Sequence, residues 1–505
     1  MSTSSAPSPP SQDIPKPTNA KVLIVGVGIG GLVLAALLEK AGIEYEVFER
    51  AKKVVPLGSA ISLGANVMYF FEQIGIADKV MANAQYVDDG LQYNERLEVA
   101  THMAYRHHAE RYGFYSNIIA RSLLYDIIAE LVPKEKIHMN KKVLSLLQNK
   151  EGVMIRCWDN TTYHGDVLVG ADGAYSAVRQ TLYAQLQAKG ILPKSDKEQL
   201  PFTNVCLVGT TSPLDVAKYP YIQGEKCHFI SVIADKKPYS WVLFSTTENR
   251  ICWMVIEHLN SMSSKSNDSF RSTEWGPETA EQMCKEVRDF VLPDGCTLGD
   301  FIDQTPKEYI SKVMLEEKLF ESWFSGRTVL LGDSAHKMHP SAGLGAVSAI
   351  HDAVILANRL YHLPSTPRDP TLKVFEACTK VDDVKAVFQA YKDERYPLVV
   401  QSYATSKQLA KSLSNKLVNQ LTRKMMNHMP QWLWFKVLDK MMEFRPQCTF
   451  LPLIANRGTV KPAHQVSLHL ADQFPQPLKG IVGPIQGKKK APLSSEVSEV
   501  AKDDK

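Results

Sequence analysis

Apolar positions recur along this chain with two periods, and each change of period marks a boundary. Val22–Val25 is an unbroken apolar run rich in β-branched residues, as in a strand covered on both faces of a parallel sheet. Spaced glycines follow, and an apolar helix from Gly30 to about Lys40 leads through Gly42 into a second strand, Tyr45–Arg50. Val22–Leu38 carries no charge and approaches the length of a membrane span. The spaced glycines fit strand–turn–helix better than one long helix. The chain thus opens with a dinucleotide-binding βαβ unit.

Further on, Asn66–Gly75 and Ala120–Leu131 have helical spacing, whereas Lys142–Leu147 and Gly152–Trp158 read as strands around a turn at Glu151–Gly152. Val167–Val169 and Arg327–Leu331 are two more buried strands. Between them, Val205–Val208, Phe229–Ala234, Ser240–Ser245 and Ile251–Glu257 form short β runs, the last two joined as a hairpin across Thr246–Arg250. Beyond Leu360 the pattern is mostly helical. The expected fold is α/β: a Rossmann-like unit at 21–85, 105–185 and 316–362, and a β-sheet domain from 86–104 and 186–315. A helical region follows at 363–475, with a disordered leader at 1–20 and a disordered tail at 476–505.

Composition narrows the class. With 58 basic and 54 acidic side chains the net charge is +4, which makes no electrostatic case for nucleic acid. The eight cysteines form no C-x-x-C pair or zinc-like spacing, and reduced thiols in a cytoplasmic setting are expected. His107–His108 and the pair His336 and His339 lack a converging carboxylate set, so no metal is expected. Residues 416–444 mix Lys and Arg with Met, Trp and Phe. Packing against the other domains is the preferred reading, with peripheral membrane contact as the alternative.

The chemistry gathers in three places. Gly26, Gly28 and Gly31 have G-x-G-x-x-G spacing. The first permits the tight turn, the second lets backbone approach a pyrophosphate, and the third lets helix pack on strand. Glu49 lies about twenty residues on, where a carboxylate accepts from a ribose hydroxyl. The second place is the stretch DVLVGADGAYSAVR at Asp166–Arg179, whose Asp172 and Gly173 end a buried strand. Asp172 as a helix cap is the competing reading, and Arg179 on the next turn favours a ligand. The third is Gly332–Asp333, followed by Pro340, Gly343 and Gly345 before a helix to about Leu360. There backbone N–H groups at a helix start suit negative charge. Arg121 opens a helix and is read evenly as a solvated cap or as a cation reaching phosphate.

These three motifs, in this order, resemble the para-hydroxybenzoate hydroxylase-like class of FAD-dependent monooxygenases over Lys21–Leu360. The stretches PLGSAISLGANV and RPQCTFLP look like its fungal secondary-metabolite branch. The resemblance implies a glutathione reductase-type FAD fold, with Gly26, Gly28, Gly31 and Glu49 on the ADP half of FAD. It implies Arg121 on the FAD chain, Asp172 and Gly173 at the pyrophosphate side and NAD(P)H access, and Asp333 on ribityl hydroxyls. Pro340, Gly343 and Gly345 would line the isoalloxazine. Leu344, Val347 and His351 depart from the family's G-Q-G-x-N-x-x-x-E-D pattern. The implied activity uses NAD(P)H and O2, through a flavin C4a-hydroperoxide, to hydroxylate or epoxidise a hydrophobic aromatic or isoprenoid molecule. No protein acid or base is assignable. The alternatives are a reductase or dehydrogenase of the same fold and a noncatalytic membrane-associated FAD-fold protein. Aromatic residues at Tyr221, Phe229, Tyr239, Trp241, Phe244 and Trp253 are expected mainly in the core, with some facing a ligand.

Overall fold

The computed structural model describes residues 15–54, 58, 60–234, 236–259, 277–368, 375–412 and 430–474. Most of the expected leader (1–14), the tail (476–505), Pro56 and residues 416–429 lie outside the described residues.

Val22–Val25 is a central strand of a six-stranded sheet. It runs parallel to Tyr45–Phe48 on one side and to Val167–Gly170 on the other, and the latter pairs in parallel with Thr328–Leu330. All four residues of Val22–Val25 are buried, and each fully buried apolar side chain contributes about 1.5–3 kcal/mol. That explains an apolar run without alternation. The run that raised a membrane span is divided into this strand and the helix Ile29–Ala41, which ends at Gly42 in the left-handed region. Among the described residues no helix is long and apolar enough to cross a membrane. The Tyr45–Arg50 strand stops at Phe48 because the Glu49 side chain turns back to the glycine loop.

Alternation returns in a seven-stranded sheet, in spatial order Ser311–Glu316, Phe202–Thr210, Arg250–His258, Tyr239–Thr246, Phe229–Ile233, Asp89–Asn94 and Val99–Ala104. The hairpin pairs Thr246 with Arg250, as its turn residues imply. Period two separates the faces. Trp241, Leu243, Trp253 and Val255 pack with Met283, Val287 and Phe301, from the helices Pro277–Val287 and Leu298–Asp303 that cover one face. Phe229 and Phe244 point to the opposite face, with ring centroids 4.8 Å apart. Trp241 and Trp253 are therefore core residues, and Phe229 and Phe244 pack against the smaller cluster of Val87, Ile118 and Cys227.

The C-terminal region is helical over Val381–Ser412 and Gln431–Met442, while 444–465 runs irregularly. The RPQCTFLP stretch lies in that irregular part. Gln73 Nε2 donates to Cys448 O at 2.8 Å and Cys448 N donates back to Gln73 Oε1 at 2.7 Å. Gln431–Met442 buries Leu438 and Met442 and leaves Trp432, Leu433 and Val437 exposed. Asp439 anchors it by accepting from both Arg111 and Tyr112.

His108, His339 and His351 are buried and His258 is half-buried, and their surroundings push all four rings toward the neutral form. Burial, with a further push from nearby positive charge on His108 and His351, lowers His108 and His258 to about 4 and His351 to about 3. Burial and the neighbouring His258 lower His339 to about 4. Their ordinary value is about 6.5, so on acidification the unfolded chain takes up protons first. Stability is lost as pH falls from about 6.5 towards 4. Thermal unfolding should therefore show Tm several degrees lower at pH 5 than at pH 7. A flat Tm across that window would refute neutral burial of these rings.

Candidate functional site

Because the four strands are parallel, the loops after Val25, Phe48, Gly170 and Leu330 all emerge at one edge of the sheet. That edge is where open α/β sheets bind ligands. Gly26 has φ +108°, and a Cβ there would stand 2.4 Å from Ala171 O. At Gly31 a Cβ would stand 2.1 Å from Gly26 O, so the helix lies directly on the turn. Gly28 differs, since a Cβ there meets nothing within 4 Å. The space before it is open and faces the start of Ile29–Ala41. Glu49 ties the second strand to this turn, accepting from Val27 N at 3.2 Å and Ala51 N at 2.9 Å.

The second motif serves two ends. Asp172 Oδ2 accepts from Ala177 N at 2.7 Å and Val178 N at 3.2 Å, which realises the cap. Its Oδ1 is buried without a partner among the described residues, and burial raises its carboxyl above the ordinary value against the hydrogen bonds it accepts. Gly173 is open in front, with φ +79°. Arg179 does not turn to a ligand. It donates to Ser334 O at 3.0 Å and to Ala174 O at 2.5 Å and lies over the Phe320 ring, clamping the second motif to the third. Its position on the helix is local, but its partner lies 155 residues away.

In the third motif, Asp333 accepts from Lys337 Nζ at 2.6 Å. Burial works against its ionisation, but Lys337, His336 and Arg121 together hold the carboxyl below its ordinary value. Arg121 is exposed, and its guanidinium has no hydrogen-bond partner among the described residues. It would sit 3.0 Å from a Cβ on Gly58. Ala120 is the N-cap and Arg121 the first residue of the helix Arg121–Ala129, so Arg121 stands solvated at the helix start. Pro340 begins a short 3-10 turn, Gly343 closes it at φ +64°, and Gly345 has nothing within 4 Å of an added Cβ. The helix Leu344–Tyr361 thus presents its first N–H groups at an open face.

Beneath this turn lies a group absent from the sequence reading. Asp352 accepts from Gly332 N at 3.0 Å, stands 2.6 Å from His336 Nε2, and accepts from Arg395 Nε at 2.8 Å. All three side chains are buried. Burial opposes ionisation of Asp352, yet His336 and Arg395 outweigh it and hold the carboxyl well below its ordinary value. His336 is thus committed to Asp352. His351, where the family pattern has Glu, bonds Asn66 O at 2.8 Å, joining Leu344–Tyr361 to Ala65–Gln73. Asp352 was legible as the last letter of the family pattern. Arg395 carried no signal, standing inside a helical run 43 residues on.

The donor set suits a dinucleotide: open glycine backbone at two helix starts, carboxylates at the strand ends, and an unpaired guanidinium. A model of the FAD binding domain matches residues 19–372. The chain belongs to the FAD binding domain family. This FAD-binding chain is 31% identical over 407 residues to the FAD-dependent monooxygenase paxM of Penicillium paxilli, covering 77% of this chain and 78% of that one. It is 29% identical over 354 residues to the FAD-dependent monooxygenase esdpE of Penicillium shearii, covering 68% and 69%. Among solved structures, Klebsiella pneumoniae HpxO complexed with FAD and uric acid superposes with TM-score 0.64 at 18% identity, over 84% of this chain and 96% of that one. The 2,6-dihydroxypyridine-3-hydroxylase of Arthrobacter nicotinovorans gives 0.61 at 18%, over 79% and 94%. These two establish the shared fold. The family and its curated relatives make the chain an FAD-dependent monooxygenase.

Proposed function

We propose that the chain uses NAD(P)H and O2 to place one oxygen atom on a hydrophobic aromatic or isoprenoid small molecule. The observation that carries this reading is the meeting of three distant motifs at one sheet edge, beside the sheet face that bears Phe229 and Phe244. Gly26, Gly28, Gly31 and Glu49 hold the ADP half of FAD. Arg121 supplies the cation for the FAD chain, and Asp172 with Gly173 serves the pyrophosphate side and NAD(P)H access. Asp333 takes the ribityl hydroxyls. Pro340, Gly343 and Gly345 line the isoalloxazine through backbone, so Leu344 and Val347 in the family's polar positions leave this contact intact. When bound, the flavin supplies the redox and oxygen chemistry, and the protein supplies orientation and dryness.

The substrate side is the sheet face bearing Phe229 and Phe244, continued by Val208, Met254 and Ile256. It offers apolar area to an apolar body, with Asn204, Ser240 and His258 as polar groups on the same face. Domain limits follow the same geometry, with 86–104 serving the substrate sheet through its two strands. Mass spectrometry of products formed under 18O2 from a panel of aromatic and isoprenoid substrates tests the reading. One labelled oxygen per product is expected, whereas NADPH oxidation unchanged without oxygen would support a reductase.

Asp333→Ala should raise the FAD dissociation constant about tenfold, equivalent to about 1.4 kcal/mol, when measured by flavin fluorescence. An unchanged constant would remove Asp333 from the ribityl assignment.

A further inference from the structure

A chain of buried and half-buried polar groups leads from the Pro340 turn into the seven-stranded sheet. His339 caps the turn, with its Nδ1 accepting from Ser341 N at 3.2 Å. Its Nε2 stands 3.2 Å from Asn204 Nδ2, and Asn204 Oδ1 stands 2.8 Å from His258 Nδ1. His258 Nε2 stands 3.2 Å from Ser240 Oγ. Asn204, His258 and Ser240 lie on three adjacent strands, and Asn204 pairs directly with His258. On its other side the turn is held by Ser341 Oγ, which donates to Ser406 O at 2.8 Å. The turn is therefore slung between the sheet and the helix Val381–Ser412.

The proton positions follow from the cap. A neutral His339 that accepts at Nδ1 carries its proton on Nε2 and donates it to the Asn204 amide oxygen. This pattern needs the Asn204 amide turned over end for end, its oxygen toward His339 Nε2 and its NH2 toward His258 Nδ1, the orientation that the hydrogen bonding of the two rings selects. His258 Nε2 then donates to Ser240. Every group in the chain is satisfied in one direction, which requires both rings neutral. Burial lowers both rings, and His339 is lowered further by the neighbouring His258, so each ring disfavours a proton on the other. The chain ends at a backbone N–H, which cannot pass a proton onward, so it is suited to fixing geometry and not to proton delivery.

We propose that His339 and His258, joined through Asn204, are positioning residues that set where the Pro340–Gly343 turn stands against the substrate sheet. This rests on the proposal that the turn lines the flavin. Protonating either ring turns its accepting nitrogen into a donor, which breaks a link and releases the turn.

The test uses the full chain as purified, with two readouts: hydrogen exchange of a peptide spanning 338–345 and the visible absorbance of bound FAD, each followed from pH 8 to pH 5. Asn204→Asp places a carboxylate against both rings, which favours their charged forms. It should move the pH at which the turn loosens and the flavin spectrum changes upward by at least about one unit. His339→Asn keeps a cap acceptor but is too short to bridge. It should raise exchange of the peptide severalfold at pH 7, and His258→Gln, which touches the turn only through Asn204, should do the same to a smaller degree. If Asn204→Asp leaves the pH profile in place, or if both histidine variants exchange as the parent does, the inference falls. Parent protein that takes up no FAD would count against the monooxygenase reading instead. The exchange measurement on that same protein would still decide the latch, and a variant that fails to fold leaves the other two to decide it.

Discussion

Gly28→Val is expected to give a folded but flavin-poor protein, with FAD affinity reduced at least about a hundredfold, or about 2.7 kcal/mol. The expectation comes from contrast among the three glycines. A side chain at Gly28 meets no protein atom within 4 Å, so the fold has no reason to object. It does fill the open space through which backbone approaches the pyrophosphate, and it blocks N–H groups at the start of Ile29–Ala41. Gly31→Val puts its first carbon 2.1 Å from Gly26 O, and that variant should fail as a fold. The ratio of absorbance at 450 nm to that at 280 nm, taken with Tm of the flavin-free forms, separates the two. Normal flavin content in a well-folded Gly28→Val protein would end the account of the opening motif.

The second large effect is structural. Asp352→Ala leaves Arg395 as a buried guanidinium without its counter-ion and removes the partner of His336. Breaking a buried pair by deleting one member typically costs about 3–5 kcal/mol. It also frees Gly332 N, so the loop carrying Asp333 loses an anchor. Loss of soluble expression, or a fall in Tm larger than that from Asp333→Ala, is expected in a thermal melt. A near-neutral result would show that the triad is replaceable by packing. Replacing both Asp352 and Arg395 with apolar residues should recover part of the loss, because no charge is then stranded.

The distances over which each claim had to hold decided what could be read early. Strand Val22–Val25, the turn at Gly26, the end of the helix at Gly42 and the hairpin at Thr246–Arg250 each depend on a handful of neighbouring residues. Backbone sterics and side-chain periodicity operate on that scale. Asp333 and Gly345 were found in the same way, from strand ends and helix starts. Asp172 and Arg179 show the limit. The sequence allowed both a cap and a ligand role for the aspartate; in the fold its Oδ2 bonds the helix start, while its Oδ1 is buried without a partner among the described residues. Arg179 looked like a ligand because its spacing is local, whereas its partners are the carbonyls of Ala174 and Ser334.

By itself, then, the amino-acid order determined the βαβ unit, the class of cofactor and the strand ends that face it, because those features are written in φ, ψ and short periods. Only the tertiary structure decided that Trp253 joins the helix-covered core while Phe229 packs on the opposite sheet face, that Asp352 pairs with Arg395, and that His339 reaches His258 through Asn204. The residues of each such pair lie tens to hundreds of positions apart. Their meeting depends on how a sheet, a loop and a late helix pack together, and no short-range preference encodes that.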